Sequence, residues 1–137
     1  MFGAKSTSKI LAKAYRSRAA RLSKELTKGL RAGAVAIDRA QVENLSGGEN
    51  PGDYPIPVRT GNLRSSHFFA QRGDRLFVIG NTAAYARAVH EGLDSSDGVG
   101  RGNYVHGRRP FLDDAADSVD VLAIAQKRTR KALAIGI

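Results

Sequence analysis

The side chains best suited to chemistry in this chain are three histidines, His67, His90 and His106, since imidazole acts as base, acid or metal ligand near neutral pH. They lie far apart, with neither a His-x-x-x-His nor a His-Glu-x-x-His pairing, and Glu91 follows His90 directly, a spacing that puts the two on different helix faces. Surface or interface histidine is the better reading, and no metal is expected. Ser65-Ser66 lack the Gly-x-Ser-x-Gly surround of a serine nucleophile, and nothing nearby marks a base for them. Gly98-x-Gly100-x-Gly102 lacks the Lys-Ser/Thr that completes a phosphate-cradling loop. Arg72-Gly73-Asp74 reads as a hairpin turn, and Asp113, Asp114, Asp117 and Asp120 as an acidic helix face that meets solvent or a subunit. The absence of Cys removes disulfides, thiolate metal sites and cysteine nucleophiles. No catalytic constellation emerges, so neither an enzyme nor a cofactor is expected.

Charge is the stronger signal. The chain has 22 Lys+Arg against 13 Asp+Glu, a net +9 over 137 residues. Residues 1–40 carry net +8, residues 41–100 net −2 and residues 101–137 net +3, so the excess is an N-terminal property. Lys5, Lys9, Lys13, Arg16 and Lys24 occupy the side of the first helix away from its apolar stripe and are the candidate DNA-facing residues. Such a face attracts phosphates without reading bases. It lacks interleaved aromatics for stacking single-stranded bases and a second short helix for groove reading. A solvated face, or one that pairs with acids on a neighbouring subunit, explains it equally well. No stretch has the uninterrupted apolar length of a membrane span.

The elements that position these residues follow from hydrophobic spacing. Leu11, Tyr15, Ala19, Leu22, Leu26, Leu30, Gly33, Ile37 and Ala40 recur as one stripe, which predicts a helix from Ser8 to Val42, about 50 Å long, capped by Ser6, Thr7 or Ser8. Gly29 and Gly33 either kink this helix or admit another backbone closely. Residues 44–62 read as loop. Leu63–Gln71 and Arg75–Gly80 read as strands, the second buried on both faces because Leu76-Phe77-Val78-Ile79 is continuously apolar. Ala83–His90 reads as a short helix or bend, and the glycine-rich 92–109 as a flexible loop. From Pro110 to 137 a second helix presents Leu112, Ala115, Ala116, Val119, Leu122 and Leu133, with acids towards its start and Lys127–Lys131 towards its end. The expectation is one α+β domain: a basic helix over 1–43, a small antiparallel sheet with a short helix over 63–91, and a C-terminal helix.

Three segments carry a resemblance. Pro57-Val58-Arg59-Thr60-Gly61-Asn62-Leu63-Arg64-Ser65-Ser66 precedes the strand pair and Val78-Ile79-Gly80-Asn81. Tyr85-Ala86-Arg87-Ala88-Val89-His90-Glu91-Gly92 follows, and after the glycine-rich loop comes Arg109-Pro110-Phe111-Leu112-Asp113-Asp114-Ala115. In this order they resemble the neck or tail-completion family of long-tailed bacteriophages over residues 57–116. The resemblance implies a long N-terminal helix, a small antiparallel sheet and a C-terminal helix. It also implies a virion component of the head–tail junction or tail end, made in the host cytoplasm. It implies a homo-oligomeric ring, a hexamer preferred over a dodecamer. Its partners would be neighbouring connector or stopper proteins, tail-terminator or tail-tube proteins, and passing double-stranded DNA. The candidate subunit interface comprises Arg59, Thr60, Gly61, Leu63, Arg64, Tyr85, Glu91, Arg109, Pro110, Phe111 and Leu112. In this reading Thr60-Gly61 turns tightly into the first strand, Arg59 and Arg64 project towards Glu91 or the acids of the last helix, and Phe111 and Leu112 anchor that helix on the strands.

The leading expectation is therefore a ring that joins or completes the head–tail connection. The alternative is a small basic DNA-binding module acting through the first helix, and a hydrolase using Ser65 or Ser66 ranks far below both.

Overall fold

A computed structural model describes residues 4–47, 61–92 and 109–135. It is α+β, with the long N-terminal helix, two-stranded antiparallel sheet and C-terminal helix expected from the sequence. Helix α1 runs Ala4–Asn44, then α2 Asn62–Ser65, strands β1 His67–Gln71 and β2 Phe77–Asn81, and helices α3 Ala86–Glu91, α4 Phe111–Asp117 and α5 Val121–Ile135. The chain forms two compact units, one of Met1–Gly33 with Val121–Ile137 and one of Ala34–Asp120.

In the first unit α5 runs antiparallel to α1. A Cβ placed on Gly29 would lie 2.7 Å from the Ala125 Cα, and one on Gly33 would lie 2.6 Å from the Val121 Cγ1. The two glycines therefore admit the neighbouring helix, which decides between the two roles the sequence leaves open. Ala125 is buried beneath this contact. Helix α1 starts at Ala4, so Ser6, Thr7 and Ser8 lie inside its first turns and do not cap it. The apolar stripe is covered only in part: Leu22, Leu26 and Leu30 are half-buried, while Leu11 and Tyr15 are exposed.

The second unit is built from short pieces around Leu45, Ala86 and Phe111, with Leu63, Ala83, Val89 and Leu112 packed against them. Leu63, read from the sequence as the start of a strand, belongs to α2. Gly61 adopts φ 73° and its carbonyl accepts from Ser65 N–H at 2.9 Å, starting a turn of helix where an extended run was expected. Strands β1 and β2 pair with His67 opposite Asn81 and Gln71 opposite Phe77. Residues 72–76 join them, and Arg72 N–H donates to the Leu76 carbonyl at 2.9 Å. The expectation that β2 is buried on both faces is not met: Leu76 and Val78 are exposed, because among the described residues the two-stranded ribbon has no second layer on that side.

The C-terminal helix expected over 110–137 is two helices. Ser118 ends α4, its hydroxyl donating to the Ala115 carbonyl at 2.8 Å and its N–H to the Asp114 carbonyl at 3.0 Å. Asp120, a residue type preferred at the N-cap, then stands immediately before α5. Asp113 and Asp114 occupy the first turn of α4, whereas the last turn of α5 holds no base. Of the loops read at 44–62 and 92–109, residues 48–60 and 93–108 lie outside the described residues, as does the C-terminal dipeptide.

Candidate functional site

The last turns of α1 carry polar residues on an otherwise apolar stripe. Asp38, Gln41 and Leu45 recur at helical spacing, and Gln41 and Leu45 are fully buried. The two carboxylate oxygens of Asp38 each stand 3.0 Å from His67 Nδ1 at the start of β1. Gln41 Nε2 donates to Asp38 Oδ1 at 3.3 Å, while its own Oε1 is buried without a partner. Three residues on, Asn44 Nδ2 donates to the Phe111 carbonyl at 3.0 Å. One helix end thus holds the first strand through a carboxylate and the start of α4 through an amide.

The resemblance-bearing segments converge on this seam. Asn81 Nδ2 donates to the Leu63 carbonyl at 2.6 Å and its Oδ1 accepts from Ala83 N–H at 3.0 Å, tying α2 to the turn before α3. Arg109 N–H donates to the Val89 carbonyl at 3.3 Å, and Phe111 N–H to the Arg109 carbonyl at 2.7 Å. Phe111 fills the centre at 2% exposure, with the His90 ring edge-on to it at 5.3 Å between centroids. It packs against Leu45 and Ala86, so the expected anchoring on the strands is corrected: the helix ends, and not the sheet, form the receiving surface.

Several candidate interface residues are therefore internal. Arg109 is 6% exposed with its Nε buried and unpaired, and Phe111 is buried outright. Gly61, Leu63, Pro110 and Leu112 are half-buried. Arg64, Tyr85 and Glu91 remain exposed. Glu91 Oε2 accepts from Arg87 Nε at 3.1 Å one helical turn away, so its ion pair is local and does not involve Arg64. Arg59 and Thr60 lie outside the described residues, as do His106 and the glycines at 98–102.

His67 and His90 are both partly buried and face partners within the chain. His67 is held by Asp38, a partner 29 residues away that no local spacing reveals. His90 is mostly buried, its Nε2 3.6 Å from Asp113 Oδ1 and beyond hydrogen-bond reach. An Asp–His pair is the orienting half of a hydrolase triad, which also needs a nucleophile on the other ring nitrogen. Ser65 Oγ donates instead to the Asn62 carbonyl at 3.2 Å and Ser66 Oγ to Asn62 Oδ1 at 3.4 Å, both within their own turn. Among the described residues no group of three His, Cys, Asp or Glu is arranged to hold a metal ion, and no helix is long and apolar enough to cross a membrane.

The first unit offers a different surface. It holds 13 Lys/Arg and one acid, Glu25, for a net +12, whereas Ala34–Asp120 holds nine bases and twelve acids, net −3. Lys9, Lys13, Arg16 and Lys24 are exposed and lie on the side of α1 turned away from Gly29 and Gly33, spread over about 22 Å of helix. Lys5 is in the helix, but its side chain is outside the described residues. Lys28 Nζ donates to Glu25 Oε1 at 2.9 Å, and this hydrogen bond, helped by the nearby charges of Lys28, Arg128 and Lys24, holds the Glu25 carboxyl below its ordinary value of 4.5. Comparison with protein-family models, with curated proteins and with solved structures returned no match.

Proposed function

We propose that this chain is a structural subunit of the neck or tail end of a long-tailed phage virion, forming a ring that joins or completes the head–tail connection and lines the DNA passage. The observation that carries this reading is where the three resemblance-bearing segments go. Leu63, the Ala86–Val89 stretch and Phe111-Leu112 pack together around the end of α1, so these motifs build a subunit core. Motifs used for packing are what an assembly protein needs from them, and their order along the chain is the order of that virion family.

In this role the subunit works by shape and charge. Its neighbours are copies of itself, connector or stopper proteins on one side and tail-terminator or tail-tube proteins on the other. Lys9, Lys13, Arg16 and Lys24 supply a sequence-tolerant contact for passing duplex DNA. Virion assembly places it in the host cytoplasm first and in the particle afterwards.

The concentration of charge in one unit supports a second reading, an independent basic module that binds duplex DNA through α1. Light scattering and negative-stain microscopy of the purified chain separate the two. Closed rings of uniform diameter are expected; a stable monomer that binds duplex tightly, with a steep salt dependence, points to the module. Replacing Lys9, Lys13, Arg16 and Lys24 by Gln should lower the slope of log affinity against log salt by up to about 0.9 per lost phosphate contact and leave the rings intact.

A further inference from the structure

The face of α1 that α5 covers continues uncovered towards the helix start. At about 100° per residue, positions 11, 15, 18 and 22 fall within about 40° of Gly29 around the helix. Leu22 is half-buried there, yet Leu11 is 52% and Tyr15 68% exposed. The contacts Gly29–Ala125 and Gly33–Val121 set an antiparallel register that brings Ile135, the last described residue of α5, level with Ala19. Leu11 and Tyr15 lie beyond that point.

The charges around this face select its occupant. Arg18 stands between Tyr15 and Leu22 on the same face, with Arg21 at its flank, both exposed, and Glu25 is the only acid before Asp38. A second copy of the same unit would bring net +12 against net +12, a like-charge contact that disfavours self-pairing. A polyphosphate would satisfy the arginines but leave Leu11 and Tyr15 wet. The requirement is a protein surface that is acidic and also offers apolar contact, and the chain carries one: Asp113, Asp114 and Asp117 of α4 are all exposed, as is Ala116 among them, in a unit of net −3. We infer that Leu11, Tyr15 and Arg18 of one copy dock on the acidic α4 surface of the next. Two different patches meet in such a contact, so it is heterologous, and repetition closes a ring where the rotation permits. The inference rests on the ring reading and names the contact that would make the ring. The Lys9–Lys24 face, on the other side of the helix, stays open to DNA.

The test uses the full chain and measures mass by light scattering or sedimentation across concentration, with helicity checked by circular dichroism. Leu11→Ser/Tyr15→Ser, Arg18→Glu and Asp113→Lys/Asp117→Lys should each raise the concentration for half-assembly by about tenfold or more while α-helix content stays unchanged. An equimolar mixture of the Arg18→Glu and Asp113→Lys/Asp117→Lys proteins should assemble where neither does alone, because every contact in an alternating ring is then between opposite charges. Wild-type-like assembly of Leu11→Ser/Tyr15→Ser overturns the docking contact and leaves the ring reading standing. Intact assembly with loss of duplex binding in that variant makes nucleic acid the occupant and overturns it too. A wild-type chain that stays monomeric at every concentration overturns the ring reading together with this contact.

Discussion

The two units hold small cores together by opposite means. In the helix pair of α1 and α5, side chains are removed: Gly29 and Gly33 let Ala125 and Val121 approach to a distance at which a β-carbon would collide. In Ala34–Asp120, polar side chains are added: Asn44 holds the Phe111 carbonyl, Asn81 holds the Leu63 carbonyl, and Asp38 holds His67. The difference follows from the backbone. A long helix satisfies its own N–H and C=O groups and needs only a fitting surface, whereas one- or two-turn helices and a two-stranded ribbon leave many groups open. The amides of Asn44 and Asn81 then close backbone groups that the ladders do not. The first unit is thereby free to concentrate cations, while the second commits several of its polar side chains to holding its pieces together.

The largest expected effect tests the second unit. Phe111→Ala removes the central side chain of its cluster and should cost about 3–5 kcal/mol in urea unfolding. A loss below about 1 kcal/mol would show that the cluster is not the unit's core. Next, Asp38→Ala strands His67 Nδ1 and Gln41 Nε2 and should cost about 2 kcal/mol. A double-mutant cycle with His67→Ala should return a coupling above about 0.5 kcal/mol, and simple additivity would show that the pair does not hold β1 to α1.

The helix pair is tested by Gly29→Ala. Helix propensity alone favours alanine by about 1 kcal/mol, but the closeness of the Ala125 backbone should turn the change into a net loss of about 1–2 kcal/mol. Gly73→Ala, where a β-carbon would meet only the Leu76 Cβ at 3.7 Å, should stay within about 0.5 kcal/mol. A more stable Gly29→Ala protein would rule out the close contact. The smallest effect belongs to Glu25. Because its folded pKa is depressed, chiefly by the Lys28 hydrogen bond, its contribution is present above the ordinary value of 4.5 and fades as pH falls through the folded value. Glu25→Gln should flatten the thermal stability curve slightly in that acidic range, and an unchanged curve would show the pair to be inert.

Periodic features were legible from sequence and partnered ones were not. The stripe through Leu22, Leu26 and Leu30 announces α1, and the apolar run through Phe77 and Ile79 announces β2, because each is a local repeat matched to one backbone geometry. The break at Ser118–Asp120 is hidden by Ala115, Val119 and Leu122, which continue at helical spacing straight through it; only Ser118 and Asp120, residue types that favour helix ends over helix interiors, mark the change. Asp38 and His67 show no mutual signal across 29 residues, since an ion pair leaves no period. Exposure was the least accessible property. Leu11 looks like Leu26 in the sequence, and only the register of α5 separates a covered position from an open one.

That register has a consequence for how the chain is threaded. Smooth leucine stripes let one helix slide along another by a whole turn with little penalty, but a notch two glycines wide admits its partner at a single setting. A slip of one turn towards the start of α1 would press Ala125 onto Glu25 or Leu26, side chains for which the present gap has no room. Gly29 and Gly33 therefore act as a detent that fixes how far α5 reaches along α1, and with it the length of apolar ridge left bare.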